Sequence, residues 1–225
     1  VNTLETFKVF KVSFVLSPHL NMKDEILHTA TELFLNQGFK SITMDDIARE
    51  MSISKKTIYT HYSNKEAIVE ASADGLFTSI CGGIDHICDL KNNPIEELYA
   101  IKKFVLEHLK GERTSPMYQL QKYYPKIHAS LRKQQYDYMQ NCMVDNIVRG
   151  VELGLFRENI DIQFVARIYF IGMTGIKDGD IFPSTQFPQP SLYDMYLEYH
   201  LRGIITPTGK ELLNQLIQSN LTNDI

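Results

Sequence analysis

From residue 22 onward apolar side chains recur every three or four residues, and the runs are broken by Gly, Pro and paired Asn. That pattern predicts an all-α chain. Lys23 to Gln37 places Ile26, Leu27, Ala30, Leu33 and Phe34 on one face and is closed by Gly38. Thr43 opens a second helix carrying Met44, Ile47, Ala48 and Met51, with Asp46 as the far half of a capping box. A third short helix begins at Ser54. Ser63-Asn64-Lys65-Glu66 then reads as a second capping box, Ser63 with Glu66, which puts Lys65 in the first turn of a long helix over 66–89. Further helices are predicted over 94–110, 117–124, 125 to about 154, 162–176, 191–205 and 208–219, Pro125 suiting a first turn. No strand is required after residue 21.

Between Ile53 and Lys65 stand three lysines and no acid, whereas Met22 to Met51 holds three Lys or Arg against six Asp or Glu. The positive surface is therefore local. The helix from Ser54 offers Lys55, Lys56, Thr57, Tyr59, Thr60 and His61 outward and leaves Ile58, with Tyr62, for the core. Ammonium groups bind phosphates by releasing counterions, while hydroxyls and rings set register and reach base edges. An isolated K-K-T-x-Y-T is more often a solvated surface; the ordered surroundings favour DNA.

Those surroundings are a helix ending in Q-G-F, then S-I-T-M-D-D-I-A, then S-I-S-K-K-T-I-Y-T-H-Y-S-N-K-E. The arrangement resembles the N-terminal domain of TetR-type transcriptional regulators over about fifty residues. The matching positions are Ala30, Phe34, Gly38, Phe39, Thr43, Ile47, Ala48, Ser54, Thr57, Ile58, Tyr59, Tyr62, Lys65 and Glu66. Ser52 replaces the glycine usual in that turn, which predicts a turn that does not need glycine's freedom. The resemblance implies a helix-turn-helix domain over 22–68 and a helical effector-binding and dimerisation domain over 69–225, its last two long helices pairing with a second copy. It also implies a palindromic double-stranded DNA operator, its two half-sites about 34 Å apart, and a small-molecule effector that releases the repressor. The DNA-binding set is then Thr43, Lys55, Lys56, Thr57, Tyr59, Thr60, His61 and Lys65. Tyr59 and Lys65 are expected on phosphates, and Lys55, Lys56 and Thr60 in the groove. Over 162–176 the residues Ile162, Val165, Ala166, Tyr169, Phe170, Met173 and Ile176 cover more than one buried stripe, as pairing requires.

Composition narrows the alternatives. The net charge of −4 over 225 residues excludes a general polycation, and no run approaches the roughly 18 apolar residues of a membrane span, so a cytoplasmic protein without a membrane partner is expected. The seven histidines never fall three or four apart, G-x-S-x-G, the P-loop and G-x-G-x-x-G are absent, and Cys81, Cys88 and Cys142 form no C-x-x-C. This predicts no enzyme, no metal and no cofactor. A buried thiol is the ordinary reading of Cys142, redox sensing the lesser one. The alternative functions are an architectural DNA binder without a ligand and, more distantly, an all-helical enzyme. Residues 1–21 fit a signal peptide poorly and are expected to be an extension preceding an initiator at Met22.

A ligand pocket is expected among Phe77, Cys81, Ile84, Phe104, Leu120, Tyr123, Tyr124, Met139, Cys142, Met143 and Phe170. Met- and aromatic-rich linings adapt to apolar ligands.

Overall fold

A computed structural model describes residues 21–109, 116–176, 178–183 and 185–223. The expectations for residues 1–20 lie outside that range. Ten α-helices follow one another among the described residues: α1 Met22–Gln37, α2 Met44–Glu50, α3 Lys55–His61, α4 Lys65–Asp89, α5 Pro94–Leu109, α6 Pro116–Tyr123, α7 Pro125–Glu152, α8 Ile162–Gly175, α9 Gln189–Arg202 and α10 Pro207–Asn223. They contain no strand, only an isolated antiparallel bridge between Phe156 and Ile205. By packing they form two units. The first comprises the described residues up to Gly83 together with Glu107–Gln134, and the second comprises Ile84–Leu106 with Gln135 onward. The sequence pattern puts a boundary at residue 68.

The first unit starts from local caps. Asn21 accepts from the Asp24 amide at 3.1 Å. Gly38 ends α1 with φ +92 and donates its N–H to the Phe34 carbonyl at 2.8 Å. A side chain at Gly38 would also collide with Gln119 of α6, since a Cβ there would lie 2.6 Å from Gln119 Nε2. The Thr43–Asp46 capping box is complete: Asp46 N–H donates to Thr43 Oγ1, and Thr43 N–H donates to Asp46 Oδ2 at 2.8 Å. Ser54 caps α3, its Oγ accepting from Thr57 N–H at 3.0 Å. Ile26, Phe34, Ile47, Ile58, Ile68 and Val69 are fully buried, each side chain contributing about 1.5–3 kcal/mol. Leu120, Ile127 and Leu131, from α6 and α7, join the same core.

Two sequence expectations fail here. The cap of α4 is not the Ser63–Glu66 box: Asn64 Oδ1 accepts from Ala67 N–H at 2.9 Å, one residue later. Asn and Ser are equally good caps, and the backbone places Asn64, not Ser63, directly before Lys65, the first residue of α4. Ser52 does need glycine's conformation. It sits at φ +55 as the residue after the cap of α2, with Ser52 N–H to Arg49 O at 3.1 Å and Ile53 N–H to Ala48 O at 3.0 Å, a complete Schellman arrangement. An L-residue in this region costs about 1–2 kcal/mol. Ser52→Gly is therefore expected to raise unfolding stability by about 1 kcal/mol, read as a higher urea midpoint at unchanged slope. A lowered midpoint would show that the serine is favoured there.

The second unit is built on Ile95, Leu98, Met143, Ile147, Phe156, Leu197, Leu201 and Leu213. A buried polar contact ties α7 to the start of α5. Asn146 Nδ2 donates to Pro94 O at 3.0 Å and to Glu97 Oε1 at 2.8 Å, and Arg149 pairs with the same carboxylate. On α8, Ala166, Tyr169 and Phe170 are buried, and Ile162, Val165 and Met173 pack against the core. The unpaired apolar surface lies instead on Phe164, Ile168 and Ile171, respectively 62%, 40% and 60% exposed, with Met195 and Tyr199 of α9 at 50% and 77%. The face left open on α8 is thus the neighbour of the one expected. Helical periodicity counts apolar residues, and cannot tell which stripe the protein's own core takes. Tyr196 joins the two helices: its hydroxyl donates to Ile168 O at 2.8 Å, and its ring lies where a side chain at Gly172 would stand, 2.0 Å from that Cβ position.

Candidate nucleic-acid interface

α3 is a short helix anchored by Ile58, with Tyr62 buried just beyond its end. Those two positions turn Lys55, Lys56, Tyr59, Thr60 and His61 to solvent. Tyr59 is 47% exposed although it is a large aromatic. The hydroxyls partly serve the helix itself. Thr57 Oγ1 lies 2.8 Å from Ser54 Oγ, and Thr60 Oγ1 donates to Thr57 O at 2.6 Å. Thr57 is half-buried.

The cations differ in how they are held. Lys55 Nζ pairs with Asp45 of α2 at 2.9 Å, and that hydrogen bond raises its pKa. Any DNA contact by Lys55 must break or share this surface pair, a small cost. Lys56 has no ion-pair partner among the described residues and stays exposed. Lys65 opens α4 and is half-buried. Its Nζ donates to the Lys40 carbonyl at 3.2 Å and lies 5.9 Å from the centroid of the Phe34 ring. Desolvation lowers its pKa, against the opposing pull of Asp46. Thr43 is exposed, but its side chain belongs to the capping box, and that hydrogen bonding holds the Asp46 carboxyl below its ordinary range. The eight expected residues lie on α3 and at the starts of α2 and α4. Lys40 and the cap residue Asn64 stand beside Lys65; Lys40 meets it across a turn and a cap has no periodicity, so neither is marked by the sequence pattern.

The expected pocket residues divide between the units. Phe77, Leu120 and Tyr124 pack in the first core. Tyr123 is exposed beneath the ammonium of Lys40, 4.8 Å from its ring centroid. In the second unit Ile84, Phe104, Met143 and Phe170 are buried, and Tyr136 meets Phe170 edge-on at 5.2 Å. Tyr138 donates to Asp85 at 2.7 Å. Burial pushes the Cys142 thiol up, and Cys88 to about 12, also chiefly through burial. Both stay protonated at neutral pH, which disfavours the redox reading.

Comparison with known proteins agrees with this geometry. The family model for bacterial regulatory proteins, tetR family, matches residues 26–72. The chain is 25% identical over 198 residues to the HTH-type transcriptional repressor KstR2 of Mycolicibacterium smegmatis, covering 83% of this chain and 92% of the relative. It is 28% identical over 169 residues to the biofilm operon icaADBC HTH-type negative transcriptional regulator IcaR of Staphylococcus epidermidis, covering 64% and 87%. Among solved structures, a transcriptional regulator from Cytophaga hutchinsonii superposes with a TM-score of 0.68 at 16% identity, over 81% of this chain and 98% of that one. The ketosteroid transcriptional regulator KstR2 of Mycobacterium tuberculosis gives 0.54 at 22% identity, over 84% and 97%. At these identities the structures speak for the fold, and the helix-turn-helix match speaks for the domain. The all-α architecture, the family match over residues 26–72 and the relatives converge: the chain is similar to TetR-family DNA-binding transcriptional regulators, and its residues 26–72 carry that family's helix-turn-helix domain.

Proposed function

We propose that the protein is a homodimeric, cytoplasmic repressor that binds a palindromic operator and is released by a small-molecule effector. The observation that carries the DNA-binding half is α3: a helix capped by Ser54, pinned by Ile58, and presenting Lys56, Tyr59 and Thr60 without an acid of its own. The names of the relatives, repressor and negative regulator, support the direction of control. The exposed apolar stripe on α8 and α9 supports pairing, because a monomer seldom leaves so many large apolar side chains together in water. Two recognition helices related by a twofold axis then read two half-sites.

The effector site belongs to the second unit, with Ile84, Phe104, Met139, Cys142, Met143 and Phe170 as its lining. To act, the effector must prefer the DNA-incompetent state by its differential affinity, commonly about 1–3 kcal/mol. Gly82 and Gly83 are the proposed flex point of α4; a Cβ at Gly82 would meet nothing within 4 Å, which supports this over a packing role for Gly82.

Sequencing of DNA retained by the purified protein tests the reading, with Lys56→Ala and Lys65→Ala beside the wild type. Lys56→Ala is expected to relax one operator position at a cost of about 1–3 kcal/mol. Lys65→Ala is expected to weaken all sequences equally and lower the salt slope by about one. Recovery of an unchanged motif by Lys56→Ala would remove that residue from the groove. Failure of the wild type to enrich any motif would sink the reading.

A further inference from the structure

Pro116 to Lys133 contains Lys122, Lys126, Arg132 and Lys133 and no Asp or Glu, in a chain of net charge −4. The segment spans α6 and the first turns of α7. Its apolar side chains Leu120, Ile127 and Leu131 are buried in the same core as Phe34, Ile47 and Ile58, so it is fixed to the helices that carry the recognition element. Gln119 sits against Gly38 and accepts from Lys40 N–H at 3.4 Å. Beside that contact the Lys40 ammonium lies 4.8 Å from the centroid of Tyr123. The Lys122 ammonium lies 5.6 Å from the centroids of both Tyr118 and Tyr123 and donates to Tyr118 Oη at 3.4 Å. Tyr118 is 57% exposed and Tyr123 37%. Lys65, by donating to the Lys40 carbonyl, joins the row.

The chemistry of this edge is specific. A carboxylate would hold an ammonium in place by cancelling its charge, whereas a tyrosine ring holds it and leaves the charge in force. None of Lys40, Lys65 and Lys122 has an ion-pair partner among the described residues. We propose that this edge is a second phosphate-binding stripe, in which Lys40 and Lys122, steadied by Tyr118 and Tyr123, neutralise backbone phosphates of the duplex that α3 reads. The proposal rests on the DNA-binding reading above and adds contacts from outside the helix-turn-helix. Continuity with Lys65 favours DNA over a membrane surface, and the rings are engaged by cations rather than free to insert into lipid.

The test uses the full chain, a duplex recovered by selection, and binding measured by fluorescence anisotropy across a salt series. Lys40→Ala/Lys122→Ala is compared with Lys65→Ala and wild type. Each phosphate contact carries about 0.9 of the logarithmic salt slope, so for each bound protomer the wild type is expected to lose about 12-fold more affinity than the double variant between about 50 and 200 mM salt. The selected motif should not change. Lys122→Glu, at an exposed position, should deepen the loss. An unchanged slope in the double variant, beside a reduced slope in Lys65→Ala, overturns the stripe and leaves the regulator reading intact. Binding of wild type to phosphatidylglycerol vesicles that the double variant loses, with its DNA slope untouched, overturns it in favour of a membrane. Absence of salt-dependent duplex binding by the wild type defeats both readings together.

Discussion

Glutamate in place of Ile171 is expected to leave the protein monomeric and to lower operator affinity by about 10³-fold or more. Ile171 closes the stripe that begins at Phe164 and passes through Ile168, one turn apart along α8. It is 60% exposed, so the substitution leaves the core of the second unit alone. In a twofold interface the new carboxylate is buried twice, and an unpaired buried charge costs several kcal/mol. A monomer then holds one half-site only. Size-exclusion chromatography with light scattering reads the first effect and a binding isotherm the second. A dimer of undiminished affinity would place the pairing face elsewhere.

Acid is expected to weaken the fold through His200. This imidazole is 7% exposed, with ring centroids of Tyr169 and Tyr196 at 5.1 and 6.0 Å. Burial without a compensating anion lowers its pKa from 6.5 to about 4. The folded state therefore resists a proton that the unfolded chain accepts. Between those values the unfolded state binds more protons, so stability falls as pH falls, by about 1.4 kcal/mol per pH unit, and the loss is complete below the folded value. Above 6.5 both states are neutral and the contribution vanishes. Chemical unfolding of wild type and His200→Phe at pH 7, 6, 5 and 4.5 checks this: the difference between the two curves should change by roughly 2 kcal/mol toward acid. A constant difference would mean that the ring is solvated in the native state.

The helices were legible because their ends are written in residue chemistry. Gly38, Thr43, Ser54, Pro94, Pro125 and Asp161 each stop or start a helix by a local hydrogen bond or a missing N–H, and such signals need only a few neighbours. The outward face of α3 was legible for the same reason: Ile58 and Tyr62 fix which side of a seven-residue helix faces out. What escaped the sequence depends on distant partners or on fine geometry. Ser63 and Asn64 are both good caps, and only the backbone decides between them. Ser52 shows that a turn can keep glycine's conformation after losing glycine. The free face of α8 and the meeting of Gln119 with Lys40, 79 residues apart, leave no local trace.

The core beneath α3 is drawn from two stretches of chain, the residues up to Gly83 and the later piece Glu107–Gln134. A hybrid regulator made by transplanting only the early stretch would keep the recognition helix and lose Leu120, Ile127 and Leu131, exposing the apolar surface they cover. The folding unit beneath α3 is thus discontinuous, and a graft that keeps this core intact must carry both stretches.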